Sequence, residues 1–246
     1  MIVARRAVAR GVKVEIWSDV VCPWCYIGKR HFEAALAAFA HRHEVEVVWR
    51  SYELDPTAPP VREGDYAGRI AAKYGMSVDE AQVRIDRIIA TAAQAGLAFD
   101  FDIARPGNTF DAHRLIHLGA ERGLQDAVKE RLLAATFMEG EPIGLRDTLV
   151  RLAAEAGLDP EEARVALEGD AYADAVRADE QEAAAYAVSG VPFFVIDRTY
   201  GISGAQPPEV FAEVLERAWA ETHRPALVMT GPGQDGAACE GDACEL

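Results

Sequence analysis

Two cysteines three positions apart, in Cys22-Pro23-Trp24-Cys25, stand between an alternating apolar run and a helical pattern. Thiols at that spacing close into one small disulfide, and a helix that begins at the first aims free backbone N–H groups at its sulfur. The chemistry this suggests is thiol–disulfide exchange. With Cys22 at the N-cap, Pro23 falls at N1, where its missing N–H costs nothing and its fixed φ suits the helix. The amides of Trp24 and Cys25 and the positive end of the helix dipole then favour an anion on Cys22. Such surroundings bring a thiol pKa from roughly 8.5 to between about 3.5 and 7.5. Cys22 is therefore the expected nucleophile. Cys25, further into the helix, is the expected resolving thiol, placed to attack a mixed disulfide on Cys22. A metal knuckle is the competing reading, with Cys239 and Cys244 completing a zinc site. Strand-to-helix placement favours redox chemistry, and the looser 239/244 spacing offers no rigid ligand geometry. Neither metal nor cofactor is expected.

Val12, Val14 and Ile16 alternate with Lys13, Glu15 and Trp17, predicting a strand over 12–17. Phe32, Leu36 and Phe39 form one stripe of the helix after the cysteines, and a second strand is read over 45–52, which makes a βαβ opening. Pro56, Pro59 and Pro60 break the pattern, and Ala-rich helical sequence follows. Ser77 and Glu80 form a capping box for a helix ending near Gly96. Asn108 and Thr109 can cap a helix running to about Gly123, leaving His113 as a solvent-facing histidine, and Asp159-Pro160-Glu161-Glu162 starts another. Strand pattern returns at Phe193 to Ile196 and turns back into Tyr200 to Ser203; a helix over about 207–222 carries Phe211, Leu215 and Ala218 on one face. Pro192 cannot donate to a ladder and so belongs at the start of the returning strand, where a cis bond would present the Val191 backbone to an extended peptide.

The run VEIWSDVVCPWCYIGKRHFEAAL, the segment NTFDAHRL at 108–115, GVPFF at 190–194 and ISGAQP at 202–207 resemble the DsbA-like thioredoxin superfamily, and most closely its FrnE-type dithiol oxidoreductases. The resemblance covers about residues 12–222. It implies an α/β, thioredoxin-like fold with an inserted all-helical domain and a flexible C-terminal tail: 1–63 and 189–224 as the two thioredoxin-like parts, 64–188 as the insertion, and 225–246 as the tail. It also implies a redox pair at Cys22 and Cys25, a cis-Pro at Pro192 facing the disulfide, and Asn108, Thr109 and His113 on the insertion near the cleft. Trp24, Tyr26 and Val191 are expected to offer apolar or backbone contact to an unfolded polypeptide.

The expected activity is oxidation, reduction or isomerisation of protein disulfides, with protein thiols and disulfides as partners and glutathione or a thioredoxin-type protein as reductant. Relatives of this fold that isomerise or conjugate aromatic small molecules with glutathione commonly carry Ser at the first motif position, whereas this chain keeps both cysteines. That glutathione-dependent reading is one alternative; a redox- or zinc-regulated binding protein is another.

Cys239 and Cys244 sit in a Gly-rich, acidic segment. The 17 positions from Thr222 to Cys239 span on the order of 23 Å as a flexible chain, against a radius of gyration of about 18 Å for a compact protein of this length. The tail pair is thus within reach of Cys22 and Cys25 and is read as an accessory dithiol relay. A formal net charge of −15 over 246 residues disfavours nucleic acid and anionic membranes as partners. No apolar run long enough for a leader or a membrane span stands out, and the few, paired cysteines favour a cytoplasmic location.

Overall fold

The computed structural model describes residues 11–223. Its four-stranded sheet consists of β1 (Val12–Ser18), β2 (Val45–Ser51), β3 (Phe193–Ile196) and β4 (Tyr200–Ser203), in the order β2-β1-β3-β4. β1 runs parallel to β2, with Val14 opposite Val47, and antiparallel to β3, with Ile16 opposite Phe194; β3 and β4 form the expected hairpin. The crossover from β1 to β2 contains α1 (Pro23–Ala38). Between β2 and β3 come α2 (Tyr66–Tyr74), α3 (Val78–Gln94), α4 (Phe110–Glu121), α5 (Gln125–Met138), α6 (Arg146–Glu155), α7 (Pro160–Glu168) and α8 (Ala173–Ala185); α9 (Pro208–Thr222) follows the hairpin. No helix among the described residues is long and apolar enough to cross a membrane.

The capping signals operate as their chemistry requires. Ser77 and Glu80 bond each other's backbone at the start of α3, and the Asp159 carboxylate accepts from the Glu161 and Glu162 amides ahead of Pro160. At α4 the two candidate caps divide unequally. Asn108 Oδ1 accepts from the Phe110 N–H at 3.0 Å, while the Thr109 side chain makes no capping bond.

One face of β1 packs against α1 and α9 through Phe32, Phe194 and Phe211, whose rings lie 4.6–5.8 Å apart. The alternation in β1 suggests that its second face meets water, but that face is covered too. Glu15 and Trp17 are buried; Trp17 packs against Ala183 and Val188, and its Nε1 donates to the Asp179 carbonyl at 2.8 Å. Glu15 is affordable there because Arg50 pairs with it. The apolar cluster of the sheet continues without a break into Leu115, Leu118, Leu132, Leu149 and Leu152 of the inserted helices. The insertion thus shares the core of the sheet.

Candidate active site

Cys22 is the N-cap of α1, with extended backbone (φ −98°, ψ 111°), and Pro23 occupies the first helical position. Ahead of it the Cys22 amide donates to the Asp19 carbonyl at 3.3 Å, and the Cys25 amide closes the first turn on the Cys22 carbonyl at 3.0 Å. Both thiols are unbridged. They lie below the surface, Cys22 with 4% of its area exposed and Cys25 with 1%, whereas Trp24 between them is 42% exposed. Tyr26 is wholly buried and hydrogen-bonded to Glu130 at 2.6 Å, so it joins the core and is not available to a polypeptide substrate.

The Val191–Pro192 peptide is cis, and the Cys22 thiol donates to the Val191 carbonyl at 3.5 Å. Gly28, one turn beyond Cys25, permits this approach. A Cβ there would stand 3.0 Å from Pro192 Cγ and 3.4 Å from Ala205 Cα, so a larger side chain would push the proline loop off the helix.

The charge surrounding the thiols comes largely from outside the motif. Lys29 on α1 pairs with Asp126 at 3.2 Å and Glu130 at 3.0 Å, and Trp49 Nε1 donates to Asp126 at 2.9 Å. These contacts fix α5 against α1 and β2 and bring Lys129, wholly buried, beneath the site, where its ammonium donates to the Ser18 carbonyl at 3.2 Å. Burial pulls the Lys129 pKa down to about 8, opposed by the nearby Cys25, Asp19 and Cys22. Asp19 is buried as well; desolvation works against its charge, but the His113 ring, the Leu54 amide at 2.8 Å and Lys129 outweigh it and hold the carboxyl below its ordinary range.

Burial, the other thiol and the neighbouring charges act on both sulfurs. The neighbouring Cys25 thiol, with burial and the Asp19 charge, pushes Cys22 well above the ordinary thiol range; the Cys25 amide only partly offsets this. Burial also works against a Cys25 anion, but the neighbouring Cys22 thiol and the Lys129 charge lower it overall. The helix start does favour negative charge near Cys22.

Of the insertion residues, His113 lies buried with Nε2 3.4 Å from Asp19 Oδ1, overturning its reading as solvent-facing. Thr109 is buried and shares a cleft wall with Asp19. Asn108 anchors the loop, its Nδ2 donating to the Pro56 carbonyl at 3.2 Å. Cys239 and Cys244 lie outside the described residues. Asp19, Ser18 and Lys129 were not legible as site residues. Asp19 had the signal of standing three positions before Cys22, whereas Lys129 looks like any lysine of a helix.

Residues 13–216 match the model of the DSBA-like thioredoxin domain. The chain belongs to that family. A solved structure, the probable DsbA oxidoreductase SCO1869 from Streptomyces coelicolor, is 48% identical and superposes with a TM-score of 0.83, covering 94% of this chain and all of that one. The uncharacterized protein YwbO of Bacillus subtilis is 31% identical over 206 residues, 83% of this chain and 96% of YwbO. The cytosolic disulfide reductase DsbM from Pseudomonas aeruginosa, solved also with GSH, shares the fold at 19% identity and a TM-score of 0.56 in the GSH structure, covering 83% of this chain and 98% of that one. The family is one of thiol–disulfide oxidoreductases in kind, in keeping with an unbridged cysteine pair at a helix start.

Proposed function

We propose that the protein exchanges disulfides with protein substrates through Cys22 and Cys25. The observation that carries this reading is the asymmetry of the pair: the outer sulfur, Cys22, sits at the helix start beside the Val191 carbonyl, while the inner one is backed by Lys129. Access selects Cys22 as nucleophile. As it attacks, the Cys22 sulfur gives up the proton it shares with the Val191 carbonyl and acts as a thiolate. Attack on a substrate disulfide joins Cys22 to one substrate sulfur and releases the other as a thiol. Cys25 then attacks Cys22, expels the remaining substrate thiol and leaves the Cys22–Cys25 disulfide. The reverse sequence oxidises a substrate dithiol, and interruption after the first step followed by attack from another substrate thiol isomerises it.

The exposed Trp24 and Leu54 offer apolar surface to an unfolded chain, and the backbone at Val191 an edge for an extended segment. Pro192, Thr109 and His113 shape the site without exchanging electrons. Glutathione or a thioredoxin-type protein would recycle the pair in the cytoplasm; the GSH-bound DsbM structure supports a site of this fold that admits such a thiol. The Cys239/Cys244 relay belongs to the same reading.

The test is turnover of insulin and of scrambled ribonuclease. Cys22→Ser should abolish both activities, and Cys25→Ser should accumulate a substrate adduct on Cys22 visible by non-reducing mass analysis. Wild-type rates in Cys22→Ser would refute the reading.

A further inference from the structure

Among the described residues six buried side-chain polar atoms lack a hydrogen-bond partner, and four of them belong to Ser18, Asp19, Glu53 and His113. A folded interior leaves few such atoms, because each one costs free energy. The four residues lie close together. Ser18 ends β1 and Asp19 follows it; the amide of Leu54, next to Glu53, donates to Asp19 Oδ2 at 2.8 Å, and His113 Nε2 stands 3.4 Å from Asp19 Oδ1. Sulfur exchange as such uses none of them.

Asp19 nevertheless bears on the nucleophile. Its carbonyl accepts from the Cys22 amide at 3.3 Å, and its carboxylate charge opposes an anion on Cys22. Asp19 is wholly buried, so that charge acts at the low effective dielectric of an interior. The charged and titratable side chains around it are Lys129, Glu53 and His113. The Lys129 ammonium is engaged by the Ser18 carbonyl at 3.2 Å, and Glu53 has its own cation in Arg177 at 2.6 Å. Among the described residues His113 is the one ion-pair partner of Asp19 within 4.0 Å.

The fold holds the His113 ring in that place. The ring is buried, and the next residue of α4, Arg114, donates to the Ala171 carbonyl at 2.8 Å and to the carbonyls of Ala166 and Gly169. One turn further on, His117 Nε2 stands 3.1 Å from both Asp179 Oδ2 and Ser51 Oγ. Positions four apart share a helix face, so α4 sets two histidines against two buried aspartates.

We propose that His113 is a positioning residue for exchange at Cys22: held by α4 against Asp19, it offsets the buried carboxylate and so removes an obstacle to the Cys22 thiolate. This rests on the exchange reading above and gives the inserted helices a part in the chemistry. His113 makes no bond to sulfur or substrate and acts through Asp19 alone.

The test is a double-substitution cycle on the intact reduced chain. Iodoacetamide attacks thiolate, so the pH profile of labelling at Cys22, located by peptide fragmentation, reports where the anion forms. His113→Gln keeps a buried donor but cannot carry charge; it should move the profile to higher pH and lower the rate near neutral pH about tenfold. Asp19→Asn alone should raise that rate. In the Asp19→Asn background His113→Gln should change it by less than about twofold, because the charge to be offset is gone. Circular dichroism checks the fold of each variant, and His113→Asn, with the same pattern expected, replaces a glutamine variant that does not fold. An equal loss in both backgrounds, as a merely structural role requires, or no change in either, would overturn the proposal while leaving exchange at Cys22 intact. Failure of the wild type to turn over insulin would instead sink the exchange reading itself.

Discussion

Lys129→Met removes the buried cation beneath the cysteine pair while keeping most of the side chain's volume, and its consequence can be sized. The Lys129 ammonium reaches the Ser18 carbonyl at 3.2 Å, and its charge favours a Cys25 thiolate. Two unit charges about 4 Å apart at an effective dielectric of about 20 attract by about 4 kcal/mol, and less with distance; about 1.4–3 kcal/mol of that corresponds to one to about two pKa units. The variant should therefore raise the Cys25 pKa by one to about two units. The thiolate belongs to the reduced form alone, so its loss disfavours reduction. The potential of the couple should become more negative by up to about 60 mV, since about 30 mV corresponds to 1.4 kcal/mol for two electrons. The shift should be largest above the wild-type Cys25 pKa and vanish in acid, where the thiol is protonated in both proteins. Thiolate absorbance against pH and equilibration with a glutathione buffer read the two quantities. A potential displaced by less than about 10 mV, where 30 mV is about 1.4 kcal/mol, with an unmoved thiol titration, would show that Lys129 does not set the charge of the pair.

Oxidation removes the thiolate that supports the Lys129 charge, so its pKa of about 8 in the dithiol form should fall when the disulfide closes, releasing protons near neutral pH; an indicator-dye assay of stoichiometric oxidation measures them. Asp19 has a folded pKa below its ordinary value, so the stability it contributes is present above about pH 4 and is lost as pH falls through the folded value. Asp19→Asn should accordingly flatten the acid limb of stability in urea melts from pH 5 to 2. Gly28→Val drives a branched side chain into Pro192 Cγ and Ala205; a loss of about 1–3 kcal/mol in denaturant unfolding, with insulin reduction impaired beyond the unfolded fraction, is the expected result.

The cysteine motif, the βαβ opening, the hairpin and the helix caps were legible from residues 12–222 because each is set by local chemistry: a proline at N1, a serine three before a glutamate, apolar alternation over a few positions. Chain contacts beyond that range were not. β1 reads as half-exposed, and only the packing of α8 across Trp17 and Glu15 shows both faces closed. His113 looks like a surface histidine until α4 is laid against Asp19. From the sequence alone one learns that residues 22 and 25 are a thiol pair at the head of a helix, since spacing and helix polarity belong to the local chain. Which charges surround the pair was decided by the tertiary structure. Electrostatic interaction acts through space, and the buried lysine whose charge acts on Cys25 stands more than a hundred residues away, brought there by the ion pairs that bind α5 to α1.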